Sequence, residues 1–350
     1  MTKKKAITFI DLFAGIGGFH FALHNRGAHC VFASEWDDNC RHTYEDNFKK
    51  ISPKLFELQP KNSSNGTLFS SDFAGDITKV EPSSIADHDI LCGGFPCQPF
   101  SISGHKKGFN DTRGTLFFNV LEIAKAKKPK VILLENVKHL IHHDRGNTLR
   151  VIIEELENIG YKTSWKLLNA KDFGLAQNRE RVIIVANKEK PFDFSKIETK
   201  ESRRIRDILD KTGEFECLDE KDYTILDKNL WKKQPSGLIF CGYRNKAIRK
   251  AGTRPNTEHL SRVHKQPNRI YHIDGTHPTL PSQESSGRFW IYDNKKVRKL
   301  TIHEAYKLQG FPKSFKKHSK LSAAYNQIGN SVAIPMIEAV YAQIKEQYSL

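Results

Sequence analysis

The first 35 residues constrain the fold most. Residues 6–13 alternate into an apolar strand, and the turn Ala14-Gly15-Ile16-Gly17-Gly18 follows it. A helix through Phe21, Ala22 and Leu23 then runs to Gly27, and a second strand over 30–34 ends at Glu35. A strand-helix-strand unit commits its strands to lie parallel in one sheet. A glycine-rich first turn lets the backbone approach a ligand closely. Glu35 falls 20 residues after Gly15, at the end of the second strand. A carboxylate there accepts hydrogen bonds from ribose hydroxyls. The glycines do not follow Gly-x-Gly-x-x-Gly, which weakens a dinucleotide reading. Further strands are expected over 89–92, 131–134, 163–168 and 182–186, with helices over 115–127 and 147–159. Strands alternating with helices imply an α/β fold around a mostly parallel sheet. Such sheets bind ligands at the carboxyl ends of their strands.

One of those ends carries a thiol. The apolar run 89–92 leads into Gly93-Gly94-Phe95-Pro96-Cys97-Gln98-Pro99-Phe100-Ser101, a Gly/Pro loop that ends regular structure. Cys97 is better placed there to react than to pack, although a lone cysteine is often a small buried hydrophobe. The six cysteines stand at 30, 40, 92, 97, 217 and 241, with no Cys-x-x-Cys and no Cys/His spacing of zinc type. No metal site is therefore expected, and free thiols fit a reducing cytoplasm. Lys3-Lys4-Lys5 precedes only a short apolar run broken by Asp11, so no secretory signal is expected. No apolar run reaches about 18 residues, so no membrane-spanning helix is expected either.

Two further strand ends bear charge. Leu134-Glu135-Asn136-Val137 places Glu135 where one strand stops, and Gln177-Asn178-Arg179-Glu180-Arg181 precedes another. On a strand, Arg179 and Arg181 point to the same side. Paired guanidiniums suit a pyrimidine carbonyl, a phosphate or a carboxylate. The formal net charge of +16 favours a polyanionic partner such as nucleic acid. The segment Ser101-Ile102-Ser103-Gly104-His105-Lys106-Lys107-Gly108 combines glycines, hydroxyls and lysines, as a mobile phosphate-seeking loop does.

Taken together, Asp11–Phe19, Gly-Phe-Pro-Cys-Gln, Glu-Asn-Val and Gln-Asn-Arg-Glu-Arg resemble the motifs of the cytosine-C5 DNA methyltransferases, the bacterial modification enzymes above all. Gln327-Ile328-Gly329-Asn330-Ser331-Val332 is similar to the last motif of that family, and residues 298–312 to a structural one. The resemblance implies a Rossmann-like domain that binds S-adenosylmethionine and releases S-adenosylhomocysteine. Phe13 would stack near the adenine, with Gly15, Gly17 and Pro96 lining the site. Glu35 would bind the ribose, Trp36 would cover the base, and Asp76 beside Ile77 would bond the adenine amino group. Asn330 would complete the site near the methionine part.

Cys97 would attack cytosine C6, with Glu135 at N3, Arg181 at O2 and Arg179 supporting the active-site loop. A base inside a duplex is out of reach, so the target would be flipped out under the 101–108 loop. Ser101 and Ser103 are candidate phosphate contacts. Gln266-Pro267-Asn268-Arg269 and Thr279-Leu280 resemble the recognition loops of the family. Arg269 would bind guanine, Gln266 would fill the vacated stack and Thr279 would flank the target.

The domains expected are a catalytic one over 1–190, a small, loop-rich target recognition domain over 191–300, and a hinge with a return to the catalytic domain over 301–350. Residues 49–74 read as a polar surface loop, and residues 331–346 as a final helix. Double-stranded DNA is the expected partner of a monomer, paired in function with a restriction endonuclease. The tRNA-acting branch of the same family, a nicotinamide dehydrogenase and a non-catalytic DNA-binding module stand as alternatives.

Overall fold

A computed structural model describes residues 6–63, 66–96, 116–246, 256–282 and 288–350; over 59–63 and 66–70 it describes the backbone alone. The chain divides into two compact units. The first comprises Met1–Leu168, Glu180–Glu198 and Met336–Leu350; the second comprises Asn169–Arg179 and Thr199–Pro335.

The strands begin with β1 (Thr8–Leu12), β2 (His29–Ser34), β3 (Gln59–Ser63), β4 (Gly66–Ser70) and β5 (Phe73–Ala74). β6 (Ile90–Gly93), β7 (Val131–Val137), β8 (Lys162–Asn169), β9 (Gln177–Asn178) and β10 (Glu180–Asn187) follow. In the first unit seven of these form one sheet in the order β5-β2-β1-β6-β7-β10-β8. β2, β1, β6 and β7 are parallel neighbours, as the opening motif requires. β10 alone is paired antiparallel to β7, with Arg181 opposite Val137. Its amino end therefore lies at the carboxyl end of β7.

The inner strands are buried almost without alternation, the pattern of strands covered on both faces. Helices α1 (Gly18–His24), α2 (Asp38–Phe48), α3 (Phe117–Lys127) and α4 (Asn147–Asn158) connect the strands. Leu149, Ile152 and Leu156 recur at helical spacing along α4 and join Val120, Leu121 and Ala124 of α3 in one core with Ile10, Leu91, Ile132 and Ile184. Truncating any one of these leucines or isoleucines to alanine should cost about 2–5 kcal/mol.

The reading of 49–74 as a polar loop is corrected. The segment holds the 3-10 turn Pro53–Phe56, the hairpin β3–β4 and the edge strand β5. Pairing in the hairpin runs from Gln59↔Ser70 to Ser63↔Gly66. Its polar side chains hid a period that Asn65-Gly66, a strong hairpin dipeptide, should have signalled.

The second unit is built on a sheet of short strands. Its sheet contains β11 (Tyr223–Ile225), β12 (Lys232–Lys233), β13 (Ile239–Arg244), β14 (Arg269–His272), β16 (Trp290–Tyr292) and β17 (Val297–Arg298). β15 (His277–Pro278) instead pairs in parallel with β9. Cys241, Ile270, Trp290 and Val297 form the small core of the sheet.

The seams between units differ from cuts at 190 and 300, because residues 301–335 are tied to the second unit. Arg298, on β17, meets Glu304 at 2.8 Å with side-chain exposures of 2% and 0%. Glu304 also caps the helix Ile302–Leu308 through Thr301 and accepts the Asp210 amide. Gln177 donates to the Leu308 carbonyl and accepts from the Leu280 amide, while Gln309 donates to the Ile328 carbonyl.

Candidate active site

The order β5-β2-β1-β6-β7 sets the carboxyl ends of five strands side by side along one edge of the first unit. Along that edge stand Asp76, Glu35, the turn Phe13–Gly17, the loop Gly93–Pro96, and Glu135. They divide by position: the β5, β2 and β1 ends form one half, and the β6 and β7 ends the other.

In the first half the turn is shaped by left-handed backbone. Phe13, Gly15 and Gly17 all have positive φ, at 57°, 55° and 83°. A Cβ on Gly17 would lie inside the ring of Phe48, so glycine is required there; a Cβ on Gly15 would meet nothing within 4 Å. That open space above a bare backbone is the room a bound ligand needs. Glu35 is 8% exposed, and its carboxylate accepts from the Gly15 and Asp37 amides, each at 2.8 Å. Burial raises its pKa, and the two amides partly oppose that shift. Trp36 is 81% exposed, a large ring held in solvent beside the turn. Asp76 accepts from the Thr78 hydroxyl and amide, which hold its carboxyl below the usual range. Ile77 behind it is buried in the core. Space, a carboxylate pair and an uncovered ring suit a nucleoside with a free amino group and ribose hydroxyls. S-adenosylmethionine is such a ligand.

In the second half, Glu135 meets Arg181. Arg181 Nε lies 2.9 Å from Glu135 Oε1, and both side chains are 10% exposed. Burial lowers the Arg181 pKa, while the Glu135 charge acts to restore it. Arg181 Nη1 donates to the Glu180 carbonyl, and Nη2 has no partner among the described residues. Glu135 Oε2 lies 3.6 Å from where a Cβ on Gly94 would stand, so the carboxylate faces the loop that precedes Cys97. Asn136 fixes that loop: its Nδ2 donates to the Phe95 carbonyl at 2.9 Å, and its Oδ1 accepts the Val137 amide. Pro96 is exposed at the rim. Cys97, Ser101 and Ser103 lie outside the described residues.

Arg179 and Arg181 belong to different units and make different hydrogen bonds. Arg179 lies between β9 and β10, is 1% exposed, and donates to the carbonyls of Leu280, Gly329 and Ser331. It holds backbone together within the second unit. Also in that unit, Asn330 ends the helix Leu321–Asn330, exposed, with its amide on Asn326. A Cβ on Gly329 would overlap the Pro281 carbonyl, so this glycine lets the 281–282 chain pass. Thr279 donates to the Asn178 carbonyl at 2.7 Å.

Gln266 and Arg269 are already partners of each other. Arg269 Nη1 donates to Gln266 Oε1 at 2.6 Å, its Nε donates to the His264 carbonyl, and Gln266 Nε2 donates to the Tyr271 hydroxyl. Sequence reasoning assigned no role to Asn136 and missed this cradle. Neither side-chain contact has a spacing that announces it.

No helix among the described residues is long and apolar enough to cross a membrane, and they contain no group of three metal-ligating side chains. Comparison with known proteins gives one family. The model of the C-5 cytosine-specific DNA methylases matches residues 7–346. The chain is 37% identical to the type II methyltransferase M.HhaI of Haemophilus parahaemolyticus, across 97% of this chain and 95% of that protein. It is 40% identical to the type II methyltransferase M.NlaX of Neisseria lactamica, across 97% and 96%. Among solved structures, the S. pombe Dnmt2 methyltransferase shares the fold with a TM-score of 0.65 at 20% identity, covering 98% of this chain and all of that one. The chain belongs to the C-5 cytosine-specific DNA methylase family and is a cytosine-C5 DNA methyltransferase.

Proposed function

We propose that the enzyme methylates C5 of a cytosine flipped out of a short, specific duplex sequence, with S-adenosylmethionine as donor and Cys97 as covalent nucleophile. The observation that carries this reading is the buried Glu135–Arg181 pair facing the loop that leads into Cys97.

Cytosine C5 is a weak nucleophile. Attack of the Cys97 thiolate on C6 forms an S–C6 bond and pushes the ring electrons toward C5, making it enamine-like. Charge then develops at N3, where Glu135 holds or shares a proton. Arg181, oriented through its Nε, offers its remaining Nη2 donors to O2. The bound cofactor supplies an electrophilic sulfonium methyl group. Once C5 carries the methyl, loss of the C5 proton and departure of the thiolate restore the aromatic ring. Asn136 holds the loop that orients Cys97, and Glu35 and Asp76 bind the ribose and the adenine.

Arg269 reads a base edge. Its Nε donates to the His264 carbonyl and one Nη1 hydrogen to Gln266, which leaves the second Nη1 hydrogen and Nη2 as the fork for guanine O6 and N7. Gln266 holds that fork in place before DNA arrives, and Thr279 flanks the target. Similarity to type II methyltransferases supports a role as the modification partner of a restriction endonuclease, acting as a monomer on cytoplasmic DNA. Bisulfite-type mapping of plasmid DNA after expression tests this reading. It should return one short sequence motif with one fully modified cytosine. Unmodified plasmid DNA alongside a methylated tRNA pool would reject it in favour of RNA.

A further inference from the structure

The strand leading to Asp76 is barely part of the sheet. β5 is outermost and pairs with β2 over two positions only, Ala33↔Phe73 and Ser34↔Ala74. It follows directly on the hairpin β3–β4. An edge strand this short is weakly fixed by its own ladder. A side chain from α2 supplies what the ladder lacks. Arg41 Nη1 donates to the Ala74 carbonyl at 2.6 Å and to the Glu35 carbonyl at 3.1 Å. Its guanidinium carbon lies 4.6 Å from the centre of the Phe73 ring. Phe73 is buried and stacks at 4.6 Å on Tyr44, from the same helix. The start of α2 is fixed too. Asp37 caps the Cys40 amide, and its own amide donates to the Glu35 carboxylate. One guanidinium thus bridges the main chains of β2 and β5 where the two ligand-facing carboxylates begin. Bonds from a charged donor are about twice as strong as neutral ones.

We propose that Arg41 is a positioning residue for the cofactor, clamping the ends of β2 and β5 so that Glu35 and Asp76 stand at a fixed separation. The proposal rests on the reading of those two carboxylates as ribose and adenine ligands. Lysine replaces the clamp poorly, because a compact ammonium lacks the planar guanidinium that lies over Phe73 while its Nη1 reaches both carbonyls.

The test uses full-length protein, with Arg41→Met removing the donors and Arg41→Lys keeping the charge. S-adenosylmethionine affinity is measured by titration calorimetry, and KM, kcat and duplex affinity are measured below the melting transition of each variant. Arg41→Met should weaken cofactor binding and raise its KM about 10–30-fold, the scale for losing a charged hydrogen bond. kcat at saturating cofactor and DNA affinity should stay within about twofold, and Arg41→Lys should recover part of the loss. A merely structural arginine would lower the melting temperature and leave KM unmoved, and that result overturns the proposal. If Arg41→Met does not fold, Arg41→Lys decides: a raised cofactor KM supports the clamp, and a wild-type value overturns it. Wild-type protein that binds no S-adenosylmethionine would reject the cofactor reading itself, whereas wild-type binding with an equal Arg41→Met rejects the clamp alone.

Discussion

Removing Arg181 should harm the protein in two separable ways. Its Nε lies 2.9 Å from Glu135 Oε1, with each side chain only 10% exposed. At that distance and an effective dielectric of about 20, the attraction is on the order of 6 kcal/mol. Desolvation of both ions offsets most of it, so the pair as a whole adds little to stability. Removing one member is different, because the other stays buried without its counter-ion. Arg181→Met should therefore destabilise the first unit by about 3–5 kcal/mol. The double variant Arg181→Met/Glu135→Gln should be more stable than Arg181→Met alone, because no uncompensated charge remains. Activity follows another pattern. Both variants lose the N3 or O2 contacts, and Glu135→Gln alone should lower kcat roughly 10²-fold or more, the scale of a positioned acid–base group. Denaturant unfolding and transfer of labelled methyl groups to cognate DNA report the two effects. An Arg181→Met variant within about 1 kcal/mol of wild type, or a double variant less stable than the single, would refute the buried-pair argument.

Three further outcomes follow from the geometry. Gly17→Ala places a methyl group in the Phe48 ring at a positive φ, so thermal unfolding should show a loss of about 3 kcal/mol or more, together with loss of cofactor binding. Burial raises the pKa of Glu35, so on acidification it becomes neutral at a higher pH than an ordinary glutamate. Its oxygens then accept poorly from ribose. S-adenosylmethionine affinity should accordingly fall as pH drops through that raised value, and titration of Glu35→Gln should lack this pH step. Arg269→Ala should weaken the cognate site by about 1–3 kcal/mol and relax one base pair. Because Gln266 holds Arg269, Gln266→Ala should relax the same base pair, with a strongly non-additive double variant on single-base site variants.

The sequence carried the local parts of this account and lost the distant ones. The β-α-β opening, the strand-end positions of Glu35 and Glu135, and the helices over 117–127 and 147–158 were legible because each depends on period and punctuation within about 20 residues. The Glu135–Arg181 contact was half legible: both residues stood out, but only the antiparallel course of β10 brings them together. The Arg179 enclosure was not readable, since its three carbonyl partners lie 101 to 152 residues away. Arg41 and Asn136 were missed for the same reason. A side chain bonded to a remote carbonyl leaves no mark on hydrophobic period or turn chemistry. The hairpin β3–β4 was lost to composition, because polar strands on an edge look like loop.

The covalent step is tested most directly by trapping. Duplex DNA carrying 5-fluorocytosine at the mapped target cannot release C5 fluorine as it would a proton, so the enzyme should remain bonded to it in the presence of S-adenosylmethionine. Peptide mapping of the trapped complex should place the bond on Cys97, and Cys97→Ser should form no adduct and transfer no methyl group while still binding DNA. A trapped peptide without Cys97, or a serine variant that keeps substantial activity, would contradict the mechanism.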